Sequence, residues 1–304
     1  MPSRVSAILQ ALLVTFLWST SWVLVKMGLQ ENLPALTFAG VRYGLATLVL
    51  VPWVLFHPQN RKALRGVPPA TWMRLVVYGL VLYSLTQGSL FLSLAALPAN
   101  PVSLVLNLTP VLVAGASVAI GHERPGGLQW VGVVLASTGV AAFFLPLGSI
   151  PLQASGMIAL LVCLGSNAVA SLMGRAVNRD VALPTLVITF VSMAAGSTAL
   201  LVAGITTQGA GSWAPQQWLI VAWLAVVNTA FTFTLWNRTL RTLTAVESSI
   251  LNGLMLPQIV LLAFLFLGET LNLQQVIGLV FVATGTIIVQ LRRRRVTTIE
   301  AVPC

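Results

Sequence analysis

Ten runs of mostly apolar residues follow one another along the chain, each about twenty residues long and closed by a short break rich in Pro, Gly or charge. They cover Val5–Leu29, Pro34–Phe56, Trp72–Leu97, Pro101–Gly121, Leu128–Pro146, Leu152–Gly174, Leu183–Ile205, Gln216–Thr239, Val246–Gly268 and Leu273–Leu291. A hydrocarbon layer of about 30 Å takes about 20 residues of helix to cross, so each run predicts a spanning helix. Strict polar/apolar alternation, the mark of a membrane β-barrel, is absent, and helices alone satisfy every backbone group within one segment. The breaks Leu97-Pro98-Ala99-Asn100 and Ser149-Ile150-Pro151 are too short for an inserted soluble domain. The first run continues into Lys26 and a second span without a small-residue cleavage site, and is read as a retained helix rather than a signal peptide.

Composition agrees. Of 304 residues 57% are apolar and 7% charged, far below the roughly one quarter of charged residues that covers a soluble domain. The net charge of +10 would suggest nucleic acid in a soluble protein, but its distribution argues otherwise. Fourteen of the sixteen basic residues fall in loops on one side of a ten-span arrangement, and the opposite loops hold none. By the positive-inside rule that side is cytoplasmic, and an even span count puts both termini there. A bacterial inner-membrane location follows as the expectation, with the bilayer and no nucleic acid as partner. Cys163 lies mid-span and Cys304 ends the chain, so no disulfide is expected between them.

The chain also repeats itself. At an offset of 147, Leu104 meets Leu251, Pro110 meets Pro257 and Gly121 meets Gly268; at 146, Glu123 meets Glu269, Gly132 meets Gly278 and Gly139 meets Gly285. Leu33-Pro34 opens the second span as Leu183-Pro184 opens the seventh. These matches divide the chain into residues 1–148 and 149–304, five spans each. Five is odd, so the second unit enters the membrane from the opposite face, an inverted repeat with a binding site expected near the midplane.

Several of these motifs resemble the EamA-type permeases of the drug/metabolite transporter superfamily. They are Phe16-Leu17-Trp18-Ser19-Thr20-Ser21-Trp22 running to Lys26, Pro34 to Arg42-Tyr43, the mid-helix prolines, and Gly268-Glu269-Thr270 before a glycine-containing last span. Within that family the chain looks most like the YddG-type exporters of aromatic and other amino acids. The resemblance implies ten helices in two inverted repeats and export of small metabolites. Two departures are Ser19, where glycine is usual, and His122, which interrupts the Gly-Glu pair of the first unit.

Two cations have no topological duty. Lys26 lies near the end of the first span, where snorkelling to the interface competes with a site role. Arg42 lies about two turns into the second, and could bind a substrate carboxylate, brace helix ends or pair with Glu31. Trp18, Trp22 and Lys26 share a face by their spacing of four. So do Tyr83 with Gln87, Ser103 with Asn107, Asn167 with Ser171, Asn228 with Thr232 and Trp236, and Ser248 with Asn252. Either these stripes line a cavity suited to an amphiphilic zwitterion or weak anion, or they are hydrogen bonds between packed helices. Trp53, Trp72, Trp130, Trp213 and Trp218 read as interfacial anchors. Pro110 and Pro257 are candidate hinges, each removing a backbone hydrogen bond.

Other classes lack their residues. No Gly-Lys pair exists for a phosphate-binding loop, and His57 and His122 sit in loops without an HExxH motif. Neither an enzyme nor a cofactor- or metal-binding protein is expected, and no repeated filter or charged ring suggests a channel. All six acidic residues fall at loops or span ends. Facilitated export by alternating access is therefore preferred, with a proton-coupled drug/metabolite antiporter using Glu247 as the alternative, and a monomer as the working unit.

Overall fold

The computed structural model describes residues 4–29, 33–119, 127–145, 153–180, 183–239 and 251–290, and these are helical with short connections. In chain order α1 is Arg4–Leu29, α2 Ala35–Leu55, α3 Pro58–Arg65, α4 Pro69–Ala96, α5 Ala99–Leu106 and α6 Thr109–Ala119. They are followed by α7 Gly127–Phe144, α8 Ala154–Asp180 and α9 Thr185–Gln208. Next comes α10, which is continuous through Pro215–Ala225, Val226–Phe231 and Thr232–Thr239; α11 is Met255–Leu267 and α12 Leu273–Gln290. Among the described residues six helices are long and apolar enough to cross a membrane, and four more apolar helices are shorter. Large apolar side chains such as Phe56, Leu219, Phe266 and Leu273 are exposed, an arrangement that lipid tolerates and water does not.

The structure departs from ten plain helices in three physically connected ways. The segment between the first two long hairpins is itself a helix, α3, which begins with Pro58 at its first turn and buries none of its residues. The fourth predicted span is broken: α5 ends at Leu106, residues 107 and 108 form a turn, and α6 begins at Thr109. A matching turn at Leu254 precedes α11, offset from Asn107 by 147. Each break lies three residues before Pro110 or Pro257, where the missing proline N–H leaves the preceding turn unclosed.

Third, the middle turns of α4 and α10 are widened to π-helix over Leu80–Thr86 and Val226–Phe231. Both begin eleven residues into their helix, at an offset of 146. A threonine stitches each widened turn, Thr86 Oγ1 donating to Val81 O at 2.8 Å and Thr229 Oγ1 to Leu224 O at 2.9 Å, five residues back. Such bulges recur at functional sites because they re-aim side chains within an otherwise regular helix.

Two helix pairs pack backbone to backbone. In α7·α12 a Cβ on Gly139 would lie 2.6 Å from Gly278 O and 2.7 Å from Val282 N, while one on Gly285 would lie 2.6 Å from Gly132 O and 2.5 Å from Ala136 N. Subtracting 146 converts one set into the other, so the contact is isologous and the helices run antiparallel. In α2·α9 a Cβ on Gly40 would meet the Leu201 backbone at 2.5 Å, and one on Gly204 would meet Thr37 N at 2.5 Å. Glycine is required at these points because any side chain would force the pairs apart. Thr47 and Ser197, which correspond at an offset of 150, face each other across α2·α9 with their hydroxyls 3.5 Å apart. The largest buried cluster fills the space among α1, α2, α4, α5, α8, α9 and α10, around Phe38, Tyr43, Tyr83, Phe91, Leu160 and Leu224.

Candidate functional site

A file of aromatic rings follows α10 from end to end. Trp236 packs on Trp18 at 5.3 Å between centroids, Trp18 on Phe233 at 5.5 Å, Phe233 on Tyr83 at 6.4 Å and Tyr83 on Tyr43 at 5.5 Å. Further along, Phe91 meets Phe38 at 5.5 Å, Phe38 meets Trp213 at 5.8 Å and Trp213 stacks on Trp218 at 4.7 Å. The gap between Tyr43 and Phe91 is bridged by the Arg42 guanidinium, 5.2 Å from one ring and 5.9 Å from the other. Offset and edge-on ring contacts of this kind add specificity to burial, and a guanidinium against ring faces gains a cation–π term that grows as water is excluded.

Arg42 is buried, and its Nε donates to Thr229 Oγ1 at 3.2 Å. The proton of that hydroxyl is committed to Leu224 O within the π-turn, so a lone pair is left facing the guanidinium. The same relay recurs one turn on: Thr232 Oγ1 donates to Thr229 O and accepts from Trp18 Nε1 at 3.0 Å. The π-turn and the residue that follows it thus present oriented acceptors to a cation from α2 and to an indole from α1. Among the described residues Arg42 faces no carboxylate, and its terminal amino groups have no protein acceptor. Glu31, the sequence-level pairing candidate, lies outside the described residues.

The remaining candidates divide. Asn228, in the same π-turn, is fully buried and its Nδ2 donates to Leu17 O and to Thr20 Oγ1 of α1. Among the described residues its Oδ1 has no partner. Asn167 Nδ2 donates to Thr109 Oγ1 at 3.1 Å, so this stripe joins α8 to α6. Trp22 is half-buried against the main cluster, and half-buried Lys26 lies within electrostatic reach of Glu269. Gln87 is half-buried at the start of the regular turns after the π-segment, and Asn107 accepts through its backbone carbonyl from Thr286. Asn252 and Pro257 are exposed, and Ser248 and Glu247 lie outside the described residues. Pro110 stands in the first turn of α6, beside the break rather than within a continuous helix.

The sequence pattern does not single out Phe91, Phe38, Phe233 and Thr229, because a phenylalanine or threonine in an apolar run has no distinguishing spacing, and it marks Tyr43 only as part of a family motif. Trp213 was expected only as an anchor, but it packs on buried Phe38 as well as on Trp218. Its fellow anchors Trp53, Trp72, Trp130 and Trp218 are exposed as expected. Ser19 is fully buried and bonds Gln258 Oε1 of α11 at 3.0 Å, which gives a structural use to the serine that replaces the family's usual glycine. Among the described residues no group of His, Cys, Asp and Glu could hold a metal ion.

Comparison with known proteins accords with this architecture. The sequence model of the EamA-like transporter family matches residues 5–145 and 154–291. Protein PecM of Dickeya dadantii is 26% identical over 253 residues, spanning 79% of this chain and 83% of that protein. An uncharacterized transporter of Synechocystis is 29% identical over 135 residues, 43% of this chain and 38% of that one. A protein crystal structure superposes with a TM-score of 0.67 at 20% identity, covering 94% of this chain and 98% of the other, a likeness of fold. The helices, their membrane character and the family match over nearly the whole chain place this protein in the EamA-like transporter family of the drug/metabolite transporter superfamily, as a multi-pass membrane transporter.

Proposed function

We propose that this transporter exports small metabolites that carry a carboxylate beside an aromatic or aliphatic group, amino acids first, by facilitated diffusion and alternating access. The observation that carries the reading is Arg42: a buried guanidinium, anchored at Nε, with its terminal donors unused and aromatic rings on either side. A planar fork of donors matches a carboxylate, and the ring file offers the apolar part of the ligand a surface of its own kind. Asn228, Trp18 and Trp236 complete the walls in this reading, and Lys26, Trp22, Tyr83, Gln87, Asn107, Asn167 and Asn252 stand as candidates along the path.

Ten spans in two inverted units, residues 1–148 and 149–304, with both termini cytoplasmic, are part of the same proposal. The isologous antiparallel contact of α7 with α12 and the paired π-turns and helix breaks support it. The breaks beside Pro110 and Pro257 are where each unit would bend, a fused pair of units needs no second copy, and a bacterial inner membrane is the setting.

Counterflow in proteoliposomes with a panel of amino acids, nucleobases and cationic dyes tests the reading. Exchange of aromatic or aliphatic amino acids, lost in a folded Arg42→Ala protein, is the expected result; exchange of dyes and of no amino acid overturns it. An imposed pH gradient in the same vesicles separates facilitated export from the proton-coupled alternative.

A further inference from the structure

The connection between α11 and α12 belongs to the second half of the chain, yet it is tied to the first. Gly268 ends α11 in the left-handed conformation, φ +67°, a turn that costs glycine little. It aims Glu269 at the start of α5. There Glu269 Oε1 accepts from Ala99 N at 2.6 Å and Oε2 from Asn100 N at 2.9 Å. The start of α5 has no other cap: Pro98 supplies no capping side chain, and Pro101 has no N–H to be satisfied. The two free amides of the first turn therefore both go to one carboxylate, where the helix dipole favours negative charge. Lys26, at the end of α1, adds its charge beside Glu269. One residue thus joins α5, α11 and, electrostatically, α1 at one end of the helices that carry the ring file.

The sequence repeats the glutamate. Glu123 precedes α7 as Glu269 precedes α12, and the residues 147 beyond Ala99 and Asn100 are Val246 and Glu247; all three lie outside the described residues. We propose that Glu269 is a gating residue that holds one end of the pathway shut through the Ala99 and Asn100 amides. Breaking those bonds shifts the protein toward the state in which that end is open. The idea rests on the alternating-access reading above, but on no choice of substrate.

The test is the reactivity of a cysteine placed at Ser103, buried one turn below Asn100 on α5, after Cys163 and Cys304 have been replaced by serine. In nanodiscs a polar thiol reagent reaches both faces, so sidedness does not enter. Glu269→Gln, which loses the charge and one acceptor, is expected to raise the labelling rate about tenfold, as expected for weakening a charge-assisted pair. Ala99→Pro removes one of the two amide donors at a position where proline suits a helix, and is expected to raise it severalfold. Labelling within twofold of the parent in folded Glu269→Gln and Ala99→Pro proteins overturns the latch. A wrong substrate class would leave these results standing and appear only in counterflow.

Discussion

Two corners of this transporter correspond by offset and differ in content. Where α4 crosses α9, Gly79 lies against Ser192 and Gly196, and Tyr83 lies beside them. Where α10 crosses α2, offsets of 146 and 150 put Ala225 in place of Gly79, Arg42 in place of Ser192, Ala46 in place of Gly196 and Thr229 in place of Tyr83. At the first corner the backbones touch: a Cβ on Gly79 would lie 2.1 Å from Ser192 O, and one on Gly196 would lie 2.2 Å from Gly79 O. At the second, both glycines are alanines, whose methyl groups do not permit so close an approach. The widened spacing is occupied by a guanidinium and by the hydroxyl that orients it. The same architectural joint is thus a steric seam on one side and a charged site on the other, decided by two methyl groups and one cation.

The largest effect should come from closing that difference by force. Gly79→Val places side-chain carbon against the Ser192 carbonyl and should cost about 3 kcal/mol or more, an overpacking penalty, read as a large loss of melting temperature in detergent. Ala225→Val at the corresponding position should cost under half as much. Equal costs would mean that the two corners are packed alike. Next is Arg42→Met, which keeps the length of the side chain and removes its charge. Binding of a carboxylate ligand should weaken by tenfold or more while the melting temperature holds or rises, since an isolated buried charge is costly to keep. Ser192→Ala, its counterpart, should leave binding within about twofold, a small neutral-group effect. Smallest is Tyr83→Phe, which retains the ring contacts to Tyr43 and Phe233. Flux changed by less than about twofold is expected, and a larger change would make the phenol a ligand rather than a wall.

Much of this was legible from residue types alone. Apolar length and loop charge predicted membrane helices, the offsets of 146, 147 and 150 linked the halves, and Arg42 stood out as a cation too deep to reach the interface. Glu269 was visible as a repeated residue, but its partners were backbone amides, which leave no trace in a sequence. The ring file was half visible: tryptophans and Tyr83 fell on stripes, whereas Phe38, Phe91 and Phe233 were lost among other apolar residues because burial in lipid and burial in protein demand the same side chains. The polar stripes left a cavity and helix packing equally open, and Asn167 and the amide nitrogen of Asn228 are spent on neighbouring helices. Spacing on one helix carries no information about what the next helix presents.

The π-turns show the limit most clearly. Seven residues in α4 and six in α10 adopt a wider turn without proline or glycine inside to announce it, and a threonine closing on the carbonyl five residues back is as compatible with an ordinary helix until the neighbours are in place. The sequence by itself determined the solvent, the helical class, the residue correspondence between the halves and the presence of one deep cation, because these depend on composition and on periodicity along one chain. Only the tertiary structure decided which rings touch, that Thr229 turns a lone pair toward Arg42, and that Glu269 caps a helix of the other half. Each of these depends on where separate helices cross, and crossing is set by contacts between residues distant in sequence.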